Sequence, residues 1–186
     1  MSIITFIAPP LSGKGTQAKE IELRTAWKHV STGDLLRDRM NGTDKVAKAI
    51  QKTMAAGTFA SEAIVDQVLK DRLAQPDCQN GLILDGYPRV LAQAKTLETL
   101  TQQANTVFAG AIHIDVPEQE LFNRLAQRGR ADDTPDVLKK RLKDYTDKTM
   151  PVVEYYRKRG LLIEIDGAQP MADVTRDICL ALNIKP

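Results

Sequence analysis

The segment APPLSGKGTQ, Ala8 to Gln17, places a Gly-Lys pair and a Thr hydroxyl directly after an apolar run, Ser2 to Ala8. If that run is a strand and a helix begins near Gly15, then Gly13, Lys14, Gly15 and Thr16 sit at a helix N-terminus. Backbone N–H groups and the positive end of the helix dipole converge there on an anion. Lys14 would bridge the β- and γ-phosphate oxygens of a nucleotide, with the Thr16 hydroxyl placed to serve phosphate or magnesium. The strict pattern has Ser or Thr immediately after Lys, whereas Gly15 intervenes here, and Ala8 and Leu11 stand where glycine would be expected. A side chain held at positive φ at Leu11 would cost about 1 to 2 kcal/mol, so Leu11→Gly should raise ATP affinity or turnover if strain is the cost. A glycine-containing turn without a ligand is the competing reading of this motif taken alone.

NGLILDGYPR, Asn80 to Arg89, puts Asp85 at the end of a second apolar run. A carboxylate there can hold the waters of a magnesium ion bound to nucleotide phosphates. Its bland reading is an Asp that opens a turn before Gly86. Arg37, Arg89, Arg124, Arg128, Arg130 and Arg141 fall at helix starts or beside irregular pieces where a cleft would open. Guanidinium forks bind phosphate oxygens in pairs and keep their charge, as a transferring phosphoryl group requires. Arg39, Arg72, Arg157 and Arg159 read as solvated helix faces.

The elements that must position these groups alternate along the chain. Ser2 to Ala8, Gly81 to Asp85, Ala109 to Asp115 and Leu161 to Asp166 read as strands. Helical patterns run over Gly15 to Thr25, Asp34 to Met40, Lys45 to Ala56, Ser61 to Ala74, Leu91 to Leu100, Pro117 to Gln127, Pro135 to Arg159 and Met171 to Leu182. Strand followed by helix, with largely apolar strands, predicts an α/β fold with a central parallel sheet covered on both faces. Such sheets bind ligands at the carboxyl ends of their strands. Between Thr32 and Ala74 three helical patterns follow one another, predicting a small helical lobe.

The 186 residues suit one domain, and a formal net charge of +2 gives no broad basic surface for nucleic acid or anionic lipid. The apolar start lacks a basic leader and is too short to span a membrane. Cys78 and Cys179 have neither metal-ligand spacing nor a disulfide framework, and read as buried thiols of a reducing cytoplasm. His29 and His113 lie in strand-like runs with no partner by spacing, and read as packing or edge residues. Trp27 and the Tyr155-Tyr156 pair read as packing residues.

Taken together, APPLSGKGTQ, HVSTGDLLR, NGLILDGYPR with Gln93, and RGRADD with KKRL resemble the adenylate kinase family, in order and nearly end to end. The resemblance implies a P-loop NTPase three-layer α/β/α architecture in a single domain of residues 1–186. Its core would be 1–30, 61–126 and 134–186, with a helical monophosphate-binding insertion at 31–60 and a very short lid at 127–133 that has no room for structural zinc. Leu11, Ser12, Gly13, Lys14, Gly15 and Thr16 would hold ATP phosphates, Arg124 and Arg128 would flank ATP, and Gln169 would offer backbone to its adenine. Thr32 and Arg37 would contact the acceptor AMP, Thr58, Phe59 and Ala60 would line its base, and Gly86, Tyr87, Pro88 and Arg89 would contact base and phosphate. Gln93 would read the base edge, and Arg130 and Arg141 would bridge the phosphates. Lys14, Arg89, Arg124, Arg130 and Arg141 would form the catalytic set, with Thr16 and Asp85 serving Mg2+ through phosphates and waters.

The implied reaction is Mg-dependent transfer of the ATP γ-phosphoryl to AMP, giving two ADP, in a cytoplasmic monomer. With so short a lid, some ATP hydrolysis without acceptor is expected. GTFAS, Gly57 to Ser61, departs from the family's Leu-Val pair at Phe59 and Ala60. A UMP/CMP-type kinase is therefore one alternative, and a nucleotide-binding protein with weak catalysis is the other. Retention of Lys14, Asp85 and all six arginines favours a working kinase, because charges useful only in the transition state are costly to gather.

Overall fold

The computed structural model describes residues 2–103, 106–129 and 133–185, with the backbone alone for Gln103 and Arg128. Strand β1 (Ser2–Ile7) is the apolar run before the glycine-lysine loop and occupies the middle of a five-stranded sheet. Beside it lie β3 (Leu82–Asp85) and β4 (Val107–Asp115), flanked in turn by β2 (Lys28–Ser31) and β5 (Leu162–Asp166), in the order β2-β3-β1-β4-β5. Every pairing is parallel.

Helices cover both faces, which is why β1 and β3 carry apolar side chains almost throughout. On one face Ile4, Phe6, Ile112 and Ile114 pack with Ala18 and Ile21 of α1 (Lys14–Arg24), Leu121 of α6 (Glu118–Arg128) and Ile178 of α9 (Met171–Ala181). On the other, Ile3, Leu82 and Leu84 meet Leu69 of α4 (Glu62–Leu73) and Leu97 of α5 (Leu91–Gln103). Ile7 and Ala111 meet Val152 and Val153 of α8 (Met150–Lys158) there. The result is the three-layer α/β/α architecture predicted above.

β2 was legible only as a strand-like run around His29. It is a four-residue edge strand in which only Val30 is buried, so the alternation that marks a strand is nearly absent. After it come α2 (Thr32–Arg39) and α3 (Lys45–Ala55), then α4, without an intervening strand, as the pattern predicted. The starts of α2 and α3 are fixed by side chains, since Ser31 Oγ accepts from the Asp34 N–H at 3.2 Å and Asp44 Oδ1 from the Ala47 N–H at 2.9 Å.

The single long helix expected from Pro135 to Arg159 is interrupted. α7 (Pro135–Asp144) passes through a π-helical turn, Tyr145–Thr149, before α8 begins. Pro151 lacks an N–H and its ring crowds the carbonyl four residues earlier, so a wider turn just before it resolves the conflict. Tyr145 and Thr149 then face the carboxyl ends of the strands, where the cleft opens.

Candidate active site

A cleft of about 730 Å³ lies at the carboxyl ends of β1 and β3, between the glycine-lysine loop and the α2–α3 lobe. The loop at its floor is shaped by two left-handed residues. Gly13 caps α1 at φ 89°, where glycine is unstrained, and Leu11 holds φ 66° despite its side chain. Leu11 is buried with Ile114, Val116 and Leu121, so hydrophobic contact offsets a backbone conformation that costs about 1 to 2 kcal/mol. The turn that glycine usually supplies is retained, with a leucine in it. Gly13 itself has no side chain to cap α1, and the one side-chain bond at this end is the Lys14 N–H to Ser12 Oγ at 3.4 Å, at a helix N-terminus that opens on the cleft and suits an anion.

Lys14, Lys19, Arg37, Arg89, Arg124 and Arg141 line the cleft, against Glu20, Asp34 and Asp85. Cationic walls around a helix N-terminus suit a polyanion. Arg124 staples the floor: Nη1 donates to the carbonyls of Leu11 at 3.4 Å and Ser12 at 3.2 Å, Nη2 to Gly167 at 2.9 Å, and Nε to Glu120 Oε1 at 2.8 Å. Lys14 Nζ donates to the Pro9 carbonyl at 3.4 Å. Arg37 folds back on Asp34 of its own helix.

Asp85, at the end of β3, is buried beneath the loop, and its Oδ2 lies only 3.2 Å from where a Cβ on Gly15 would stand. Burial alone would raise its pKa, but the adjacent His29 imidazole and the Lys14 ammonium outweigh it and hold the carboxyl below the ordinary range. His29 Nε2 stands 3.5 Å from Asp85 Oδ2. Spacing along the chain shows no partner for His29, because the contact arises from the parallel β2–β3 register, which sets Ser31 beside Asp85 and His29 beside Ile83.

The other side of the cleft is built on GYPR. Thr32 Oγ1 donates to the carbonyls of Gly86 at 2.9 Å and Asp85 at 3.2 Å, tying the start of α2 to this turn. Arg89 Nε donates to the Gly86 carbonyl at 2.7 Å, the Arg89 N–H to Gln93 Oε1 at 2.8 Å, and Thr149 Oγ1 to the Arg89 carbonyl at 2.9 Å. Burial pushes the Arg89 guanidinium below its usual pKa; Asp85 opposes this, while Arg141 and Arg37 add to it. A buried cation beside two like charges is arranged to receive an anion.

Of the residues singled out in the sequence, Leu11, Gly13, Lys14, Gly15, Thr16, Arg37, Thr58, Phe59, Ala60, Asp85, Gly86, Pro88, Arg89, Arg124 and Arg141 line this one cleft. Ser12, Thr32, Tyr87 and Gln93 are buried beneath or beside it. Gln169 lies apart from its lining, with Nε2 donating to Asp177 Oδ2 at 2.7 Å. Arg130 and the side chain of Arg128 lie outside the described residues. Sequence reasoning missed Leu36, Met54, Tyr145 and Thr149 in the lining. Arg141, Tyr145 and Thr149 recur four residues apart, a helix-face signal that was available.

Fold and site together define a phosphate-loop nucleotide-binding protein whose cleft is lined by cationic side chains on either side. The sequence profile of the family described as adenylate kinase matches residues 6–161. The adenylate kinase of Xylella fastidiosa (strain M12) is 39% identical over 184 residues, covering 97% of this chain and 98% of the relative. That of Leptospira biflexa serovar Patoc (strain Patoc 1 / Ames) is 37% identical over 182 residues, covering 96% and 98%. That of Stenotrophomonas maltophilia (strain K279a) is 38% identical over 184 residues, covering 97% and 98%. The chain belongs to the adenylate kinase family and is a nucleoside monophosphate kinase.

Proposed function

We propose that the protein catalyses reversible transfer of the γ-phosphoryl of Mg-ATP to AMP, giving two ADP. The observation that carries this reading is the two-sided cleft: the glycine-lysine loop with Lys14 and Arg124 on one side, and Arg37, Arg89 and Arg141 on the other. The donor set fits a magnesium ion carried by nucleotide phosphates, because the buried, ionised Asp85 and the Thr16 hydroxyl line the same floor as Lys14. Asp85 and the Thr16 hydroxyl would hold such an ion through phosphates and waters, and the chemistry it would supply there is neutralisation of charge that develops during transfer.

The chain's own residues position and neutralise. Amide N–H groups of Gly13 to Thr16 and Lys14 Nζ would hold the donor phosphates, and Lys14 would follow the γ-phosphoryl as it moves. Arg89 and Arg37 would fix the acceptor phosphate so that its oxygen attacks in line with the departing β-phosphate oxygen. Arg141 and Arg130 would stabilise charge on the group in flight, with Arg124 and Arg128 flanking ATP and the Gln169 backbone meeting its adenine. The 31–60 insertion and the 127–133 lid would close over both nucleotides and exclude water.

AMP is favoured as acceptor because an amide such as Gln93 can donate and accept at an adenine edge. In this structure Gln93 is buried beside the cleft with its Oε1 accepting from the Arg89 N–H at 2.8 Å, so reading the adenine edge with both groups would require that bond to be shared or exchanged when AMP binds. The family implies a monomer acting in nucleotide biosynthesis; the buried free thiols suit a reducing cytoplasm, and the small net charge offers no broad basic surface for nucleic acid. Among the described residues no helix is long and apolar enough to cross a membrane.

The deciding experiment is nucleoside diphosphate formation from Mg-ATP with AMP, dAMP, UMP, CMP and GMP in parallel, each with a Lys14→Ala control. Turnover strongest on AMP and lost in the control is expected. Turnover strongest on UMP or CMP would make this a pyrimidine kinase, and nucleotide binding without turnover on any acceptor would make it a binding protein.

A further inference from the structure

One aromatic ring in the cleft stands beside two cations. Phe59, in the turn after α3, presents its ring 5.0 Å from the Arg89 guanidinium carbon and 5.3 Å from Lys148 Nζ. Both distances lie within the range at which a cation is drawn to an aromatic quadrupole. The three residues come from three separate places in the fold: the lobe, the GYPR turn and the π-helical turn.

We propose that Phe59 is a positioning residue for Arg89 and that Phe59 and Lys148 form a cation–aromatic clasp which sets the affinity for the acceptor's phosphate. The proposal rests on the kinase reading above, in which Arg89 holds that phosphate. It changes the role expected for Phe59, from a wall for the base to a support for the phosphate-binding arginine.

The Arg89 backbone is already pinned, its N–H by Gln93 and its carbonyl by Thr149. On the side chain, Nε is taken by the Gly86 carbonyl. What remains to be fixed is the far end of the guanidinium, and the Phe59 ring stands beside it. A ring contact consumes no N–H donor, so the fork stays available to a phosphate while its position is restricted. The ring also supplies negative electrostatic potential to a cation that is buried near Arg37 and Arg141. A leucine in its place would have no quadrupole and could do neither.

Lys148 is the second cation at the ring. Its ammonium pairs with Asp144 at 2.6 Å and reaches over the same ring, so the turn carrying Phe59 is tied to the helix that carries Arg141. The sequence offered no reason to single out Lys148. Its place over the Phe59 ring comes from the π-helical turn in which it lies.

The test is a double-mutant cycle on the full-length protein with Phe59→Leu and Lys148→Met, together with Phe59→Tyr. AMP and adenosine binding would be measured by calorimetry, and KM for AMP and for ATP by steady-state kinetics. Phe59→Leu should raise Kd and KM for AMP about three- to tenfold, as loss of one cation–aromatic contact implies, with adenosine affinity and KM for ATP changing less than about twofold. Lys148→Met should cost about two- to threefold, and the double variant less than the product of the two single effects. Phe59→Tyr, which keeps the ring, should restore AMP affinity.

Equal weakening of AMP and adenosine would show a base wall instead and overturn the proposal. So would unchanged AMP affinity in Phe59→Leu, or effects that simply multiply. Wild-type protein that phosphorylates AMP while the variants behave alike would sink the clasp and leave the kinase reading standing. Wild-type protein that binds AMP without turnover would sink that reading, and the AMP-to-adenosine ratio in the variants would still decide the clasp. Wild-type protein that binds no AMP would overturn both.

Discussion

The Leu11 carbonyl accepts a hydrogen bond from Arg124 Nη1 at 3.4 Å, while the Leu11 side chain is buried in the core beneath the phosphate loop. The residue thus holds the loop from both ends, although its left-handed backbone is strained. That strain is present before any nucleotide arrives, so it weakens folding and leaves binding untouched. Leu11→Gly relieves about 1 to 2 kcal/mol of strain but gives up about 1.5 to 3 kcal/mol of side-chain burial and adds unfolded-state freedom. The variant is expected to be less stable by about 1 to 2 kcal/mol in urea unfolding, with KM for ATP within about twofold of wild type. This reverses the gain in ATP affinity that the sequence alone suggested. A variant that is both more stable and tighter for ATP would show that strain outweighs packing.

Arg124 gives a second expectation, because its planar fork serves the Leu11, Ser12 and Gly167 carbonyls at once. Lysine keeps the charge but cannot span these acceptors. Losing one or two charge-assisted hydrogen bonds, each worth about 1.5 to 3 kcal/mol, should loosen the loop and raise KM for ATP about tenfold or more in Arg124→Lys. KM for AMP should move far less. Equal loss for both nucleotides would point to general unfolding of the cleft.

These two residues also mark what could and could not be read from the chain. The parallel sheet was legible because β1, β3, β4 and β5 are apolar runs separated by helical patterns, and the phosphate loop was legible because its spacing is local. β2 was nearly silent, since a short edge strand buries little, and with it went the His29–Asp85 contact that only strand register creates. The conformation at Leu11 was equally hidden. Whether a leucine keeps or abandons a glycine-like turn depends on what buries its side chain, and Ile114, Val116 and Leu121 are far from it in sequence. The π-helical turn was foreshadowed by Pro151, but its effect on Tyr145, Lys148 and Thr149 required the structure.

His113 yields a prediction about acid stability. Its Nε2 lies 2.7 Å from the Tyr145 hydroxyl, and the ring is buried in β4. Burial depresses its pKa below 6.5, with Asp115, Glu164 and Glu154 opposing and Arg157 assisting. Below about pH 6.5 the unfolded chain therefore takes up a proton that the folded protein resists, and stability falls with pH until the folded pKa is reached. His113→Phe should remove this component, so that urea midpoints between about pH 5 and 7 fall less steeply than in wild type. Identical slopes in the two proteins would assign the acid sensitivity to other groups.

Asp85 behaves oppositely. Its folded pKa is depressed below the carboxylate value of 3.8, so its contribution to stability is present above the unfolded pKa and disappears as pH falls through the lower folded one. At any pH where the enzyme would be assayed the group is ionised, and it should produce no acid limb in kcat between about pH 5.5 and 8. Asp85→Asn removes the charge while keeping the shape. If the carboxylate serves a metal carried by the phosphates, kcat should fall about a hundredfold or more, as for loss of one preorganised electrostatic contact, and the magnesium concentration for half-maximal activity should rise. Removing magnesium with a chelator should abolish wild-type turnover and be reversed by its return. If Asp85→Asn loses activity without any change in magnesium dependence, the carboxylate acts by holding His29 and Lys14 in place, and nucleotide binding to the variant, measured without metal, would then be weakened as well.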